Sequence, residues 1–253
     1  MHPIYRLLGA IALGLPAISL AGVDDYVRVP SVEYGEREID FKYATAKLKE
    51  SDDEFAGAGR LSAGSLGFGW GATQWWFTEL YAKYHKEPGD KAKYDAWEWE
   101  NKFQLTEPNK YFADVGFFTE IEVPRNRDEG YELVWGPLVQ FYTGDLQWNV
   151  NPVFTRVVRS KEEGAHVTEL GYQVQLRYPI RGNDFAVGAQ AFGNLGQWND
   201  WAPRDEQSHA AGPAVFGRVK LGGREQIQYN AAWLFGSNAA PRNTFRLQAE
   251  FEF

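Results

Sequence analysis

Polar and apolar residues alternate without an error over Thr244 to Phe253. Phe245, Leu247, Ala249, Phe251 and Phe253 fall on one side of an extended strand, and Arg246, Gln248, Glu250 and Glu252 on the other. So charged a side cannot face a dry core unless its charges are paired. An aromatic side running to the chain end is equally out of place on a soluble edge strand. A strand crossing a bilayer needs both sides: apolar toward lipid, polar toward a lumen.

The same two-sidedness recurs. Strands are expected at about Glu36–Leu48, Arg60–Gly71, Trp75–His85, Lys93–Leu105, Tyr111–Val123, Tyr131–Tyr142, Asp145–Arg159, Val167–Tyr178, Asp184–Phe192, Pro213–Leu221 and Glu225–Phe235, before the last. In the fourth, Trp97, Trp99, Phe103 and Leu105 oppose Glu98, Glu100 and Lys102. In the eighth, Leu170, Tyr172, Val174, Leu176 and Tyr178 oppose Glu169, Gln173, Gln175 and Arg177. The second alternates Leu66, Phe68 and Trp70 with glycine. Most stretches are about ten residues, the length a tilted membrane strand needs.

The connections alternate too. Odd-numbered ones, such as KESDDEFAGAG, KEPGDKA and PRNRDEG, are mostly longer and charged; even ones, such as GATQ, YTG and GGR, are short. A membrane barrel with both chain ends on one side produces that rhythm. A soluble β-sandwich, the competing arrangement, demands neither it nor an even strand number. The expectation is therefore an all-β fold: a single antiparallel transmembrane β-barrel of about 12 strands, with both termini periplasmic.

Composition narrows the class. Arg6, the apolar run Leu7–Leu20 and the small-x-small triplet Ser19-Leu20-Ala21 read as a secretory leader over residues 1–21, leaving a barrel domain over 22–253. No later run is apolar enough for a membrane helix, and mean hydropathy is -0.47. Formal charge is -8, and the leader carries one Arg and no acid, so nucleic acid is excluded as a partner. There is no cysteine, hence no disulfide framework and no thiolate metal site. Aromatic residues make up 16% of the chain, as twisted, crowded strands would use them. No repeat or low-complexity tract divides the chain.

On these features the sequence resembles the outer-membrane β-barrels of Gram-negative bacteria, over nearly the whole chain after the leader and as pattern rather than identity. The resemblance implies an outer-membrane location reached through the periplasm, contact with outer-membrane lipid, and reading of a C-terminal aromatic by the barrel-assembly machinery. Phe253 and Phe251, with Leu247 and Phe245 behind them, match that signal. Length and hairpin pattern are also similar to a group of uncharacterised phenol-degradation MetA-pathway-like barrels.

Candidate chemistry lies on the polar faces. Glu98, Glu100, Glu120, Glu122 and Glu132, with Glu79 and Asp114, fall on the third to sixth strands; Arg177, Arg218, Lys220 and Arg246 fall on the eighth, tenth and twelfth. Opposed arcs of this kind can set a transverse field that selects a polar solute, or can simply pair and fill a narrow barrel. The segment from Gly193 to Gly212 reads as a long loop in which Trp198, Trp201, Arg204 and His209 could bind a ligand or fold inward as a plug, with a self-packed external loop whose tryptophans sit at the lipid interface as the favoured reading. Adjacent Ser208 and His209 would point apart in a strand, and no Ser lies two residues from His85 or His166, so no catalytic residue is named. No histidine spacing suits a metal, and no cofactor is expected. The expected role is passive passage of a small solute. The alternatives are a closed barrel acting through its loops and a lipid-modifying enzyme.

Overall fold

A computed structural model describes residues 25–48, 59–161, 166–181 and 184–253. The leader expected over residues 1–21 lies outside them. The strands are β1 (Arg37–Lys47), β2 (Arg60–Gly71), β3 (Trp76–Lys86), β4 (Lys93–Gln104), β5 (Ala113–Pro124), β6 (Tyr131–Thr143), β7 (Leu146–Val158), β8 (Thr168–Arg181), β9 (Phe185–Gln197), the two-residue β10 (Asp200–Trp201), β11 (Ser208–Gly222), β12 (Glu225–Asn238) and β13 (Asn243–Glu252). Each of the twelve long strands pairs antiparallel with its neighbour, β13 pairs with β1, and β8 with β9. The sheet is thus a closed twelve-stranded barrel, and β10 is an extra strand on β9. Closure leaves no free edge, which is how a sheet survives where no water can satisfy its backbone.

The barrel is inside-out. Along β1, Ile39, Phe41 and Tyr43 are exposed while Glu38, Asp40 and Lys42 are buried. Phe68 is 53% exposed and Asp40 only 1%. That arrangement is stable only if the outer wall meets hydrocarbon. One rim carries the start of β1 and the end of β13, where the Phe253 N–H donates to Arg37 O (2.9 Å), and we call it the terminal rim. Strands β1, β3, β5, β7, β9 and β12 end at the opposite, far rim.

Two expectations need correction. The segment 193–212 is mostly strand. β9 continues to Gln197 and β11 begins at Ser208, with Gly193 opposite Tyr172 and His209, and Asn194 opposite Gly171 and Ser208. Gly and Asn there read as turn residues, but ladders on both sides hold them extended. The interior is also not polar throughout. Ala44, Ala46, Leu48, Leu61 and Ala63 form one buried apolar cluster. Ala186, Phe192, Ala214, Phe216, Ala232 and Leu234 form another, joined by Val27.

Candidate functional site in the barrel interior

The segment before β1 enters the barrel. Its path starts at the smallest neighbours. A Cβ on Gly116 would sit 3.0 Å from both Pro30 Cα and Pro30 Cβ, and one on Gly71 would collide with Glu33 O. Only residues without a side chain admit a second backbone so close. The Val32 N–H donates to Gln104 Oε1 (2.8 Å), and Asn151 Nδ2 donates to Arg28 O (2.9 Å). Val27 packs into the apolar cluster of β9, β11 and β12, on the wall opposite β4 and β5. The segment therefore bridges the lumen.

Arg28 is its anchor. Its Nε donates to Glu100 Oε2 (2.8 Å) and its Nη2 to Glu120 Oε2; the guanidinium lies 4.3 Å from the Phe118 ring centroid. Tyr26 OH donates to the same Glu100 oxygen (2.7 Å). Lys83 Nζ completes the tier, 2.6 Å from Glu122 and 3.2 Å from Glu98. Glu98, Glu100 and Glu120 hold carboxylate oxygens within 4.8 Å of one another, near enough to share a metal ion. Arg28 and Lys83 already supply positive charge there, and a buried carboxylate cluster cannot stand without it. Glu132 is opposite Glu122 on the adjoining strand.

Toward the terminal rim lies a cavity of about 600 Å³. The N-terminal segment forms part of its wall, with Glu38, Asp40, Glu79, Glu250 and Glu252 on β1, β3 and β13. Arg177, Arg218, Gln175 and Gln228 face it from β8, β11 and β12. Asp40 Oδ2 accepts from Tyr81 OH (2.8 Å) and Gln248 Nε2 (3.2 Å), and lies 3.3 Å from Lys42 Nζ. Asp40 Oδ1 and Glu79 Oε1 have no hydrogen-bond partner among the described residues.

The predicted site residues thus separate. Glu98, Glu100, Glu120 and Glu122 come together, but around Arg28, a residue the pattern of strands never drew attention to. Arg177 and Arg218 line the cavity; Arg218 also meets Asp184 at 3.3 Å. Arg246 is buried over the Phe192 ring, 4.0 Å from its centroid. Trp198, Trp201 and Arg204 are exposed around the β9–β11 turn at the far rim. His209 stands on β11 beside the Tyr172 hydroxyl (2.9 Å) and Gln207 Oε1 (3.1 Å). The segment that enters the barrel is the N-terminal one. Gly71 and Gly116, on the inner sides of β2 and β5, were its visible signal. Cβ atoms on Gly67 and Gly69 would meet the rings of Tyr81 and Phe77, and one on Gly71 the incoming backbone.

A closed barrel with an apolar outer wall and a polar, charged interior is the architecture of outer-membrane barrels. No family model and no curated protein matches the chain. Solved structures do match. The COG4313 outer membrane channel from Pseudomonas putida F1 superposes with a TM-score of 0.61 at 13% identity, over 90% of this chain and 99% of that one. The translocator domain of autotransporter NalP from Neisseria meningitidis gives a TM-score of 0.49 at 12% identity, over 92% of this chain and 91% of that one. At 13% identity the likeness to the first shows the fold alone.

Proposed function

We propose that the protein is an outer-membrane channel that lets a small solute move down its gradient past an N-terminal segment held inside the barrel. The observation that carries this reading is the cavity of about 600 Å³ within the closed wall, beside that segment. The fold shared with a protein described as an outer membrane channel supports it. Such a passage needs no turnover: amide and charged side chains on the wall lower the cost of dehydrating the solute. In this reading residues 1–21 are the export leader and the terminal rim faces the periplasm. Phe253, whose ring stacks with that of Phe251 at 5.5 Å between centroids, is presented for barrel assembly. A narrower kinship with the phenol-degradation MetA-pathway-like barrels belongs to the same proposal and fixes no solute.

The segment bridging the lumen also favours a second reading, a closed barrel that acts through its far-rim turns. Planar-bilayer recording of the refolded chain under a salt gradient separates the two. The channel reading expects discrete conductance steps. A silent bilayer containing demonstrably inserted protein overturns it in favour of the closed barrel.

A further inference from the structure

The lipid-facing wall carries arginines at one corner of the far rim. Along β7 the outward residues Trp148, Val150, Pro152 and Phe154 are apolar, and the next one, Arg156, is exposed. A charge on the lipid face is tolerated only near the membrane surface. Arg156 stands opposite Leu133 of β6, the outward residue that follows Tyr131. Tyr131 is flanked by two more arginines: the Arg127 guanidinium lies 5.7 Å and the Arg159 guanidinium 5.9 Å from its ring centroid. Over residues 125–131 and 156–161 the bases are Arg125, Arg127, Arg156, Arg159 and Lys161, and the acids are Asp128 and Glu129. Asp128 is taken by Lys161 (2.7 Å), and Arg127, Arg156 and Arg159 have no ion-pair partner among the described residues.

The backbone fixes this corner. The Lys161 N–H donates to Asp128 O (3.0 Å). Gly130, at φ +90, lets the two chains close: a Cβ there would sit 2.6 Å from Val158 O and 2.7 Å from Ser160 N. Arg159 has φ +59, in the left-handed region. The other non-glycine residues in that region, among the described residues, are Asn109 and Asn238, of the type that tolerates it. An arginine there costs stability, and the fold spends that cost on a guanidinium beside Tyr131. Next along the same outward face, Trp135 and Phe154 stack at 6.0 Å between centroids.

Charge and shape together select the occupant. Unpaired guanidiniums at the end of an apolar wall complement an amphiphile with an anionic head and hydrocarbon tails. Guanidinium forks match phosphate oxygens. A free phosphate ion would use the arginines and leave the Trp135–Phe154 stack unused.

We propose that this corner of the far rim docks a phosphate-bearing membrane lipid, with the phosphate among Arg127, Arg156 and Arg159 and an acyl chain along Trp135 and Phe154. The proposal rests on the barrel standing in a membrane, not on its conducting.

The test is native mass spectrometry of the refolded barrel in detergent, titrated with dioleoyl phosphatidic acid, dioleoyl phosphatidylcholine or inorganic phosphate. Phosphatidic acid should be retained as one lipid per barrel, about tenfold more tightly than phosphatidylcholine. Retention should weaken about fivefold in Arg156→Gln and further in a variant combining Arg127→Gln with Arg159→Asn. Arg37→Gln, on the outward face at the terminal rim, should bind as wild type does. Arg159→Asn alone should bind more weakly yet melt no lower than wild type, because Asn suits the backbone there; an arginine with only a structural role would give the opposite. The inference is overturned if phosphatidylcholine is held as tightly, if inorganic phosphate displaces the lipid at equal concentration, or if the arginine variants retain lipid as Arg37→Gln does. Because binding is read in detergent, a silent bilayer would sink the channel reading alone, and conductance without phosphatidic acid selectivity would sink this inference alone.

Discussion

Two tiers of carboxylates line the barrel. They use the same residue type on the same alternating faces of neighbouring strands. In one, Glu98, Glu100, Glu120 and Glu122 close around Arg28 and Lys83. In the other, Glu38, Asp40, Glu79 and Glu250 face a cavity, and two of their oxygens lack partners among the described residues. The strands supply a lysine to each tier, Lys83 to the first and Lys42, 3.3 Å from Asp40, to the second; the rest of the difference comes from outside them. A segment with no period of its own delivers a guanidinium to one tier and stops short of neutralising the other. A charged strand face therefore defines a site only once its internal counter-charges are known.

The largest expected effect breaks the filled tier. Arg28→Ala leaves Glu100 and Glu120 buried beside each other without their cation, and truncating one member of a buried ion pair costs about 3–5 kcal/mol. Denaturant unfolding of the detergent-solubilised barrel should show a loss of that order; a midpoint equal to wild type would mean the pair is not structural. Gly116→Leu attacks the segment without touching a charge. Its side chain would claim the space now held by Pro30 and crowd Phe103 O on β4, so protease access to the N-terminal segment should rise, with a melting curve to show that the barrel stays folded. Unchanged cleavage would show that the segment is not seated there.

The smallest effect concerns the open tier's edge. Burial, then the neighbouring Glu252 carboxylate, raises Glu36 from 4.5 to about 7. A raised carboxyl holds its proton more tightly in the folded state. Its contribution is present below the unfolded value and is lost as pH rises through the folded one. Wild type should therefore lose stability relative to Glu36→Gln between pH 4.5 and about 7, read from paired melting curves. Parallel curves across that window would show that Glu36 is not shielded from water.

Strand positions were legible because alternation is local. Arg60–Gly71 and the β13 pattern could be read from consecutive residues alone. The interior was less so. Arg28 meets Glu100 and Glu120 across sequence separations of 72 and 92, and no periodicity encodes such a meeting. Trp198, Trp201 and His209 looked like a binding loop because Gly193, Asn194 and Gly196 mimic turn composition; pairing with β8 and β11 overrides it at Gly193 and Asn194. Phe192 and Leu234 point inward, against the rule of a polar lumen, because Val27 arrives to cover them. Only the inner glycines Gly71 and Gly116 hinted that a second backbone would lie against the wall.

The most direct test of the account is single-channel recording of wild type and Arg28→Ala side by side in the same bilayer. If the N-terminal segment is held by Arg28 and constricts the passage, the variant should conduct several times more than wild type or dwell longer in a high-conductance state. Identical conductance and gating in the two proteins, both shown to be inserted, would contradict the claim that this segment controls the lumen.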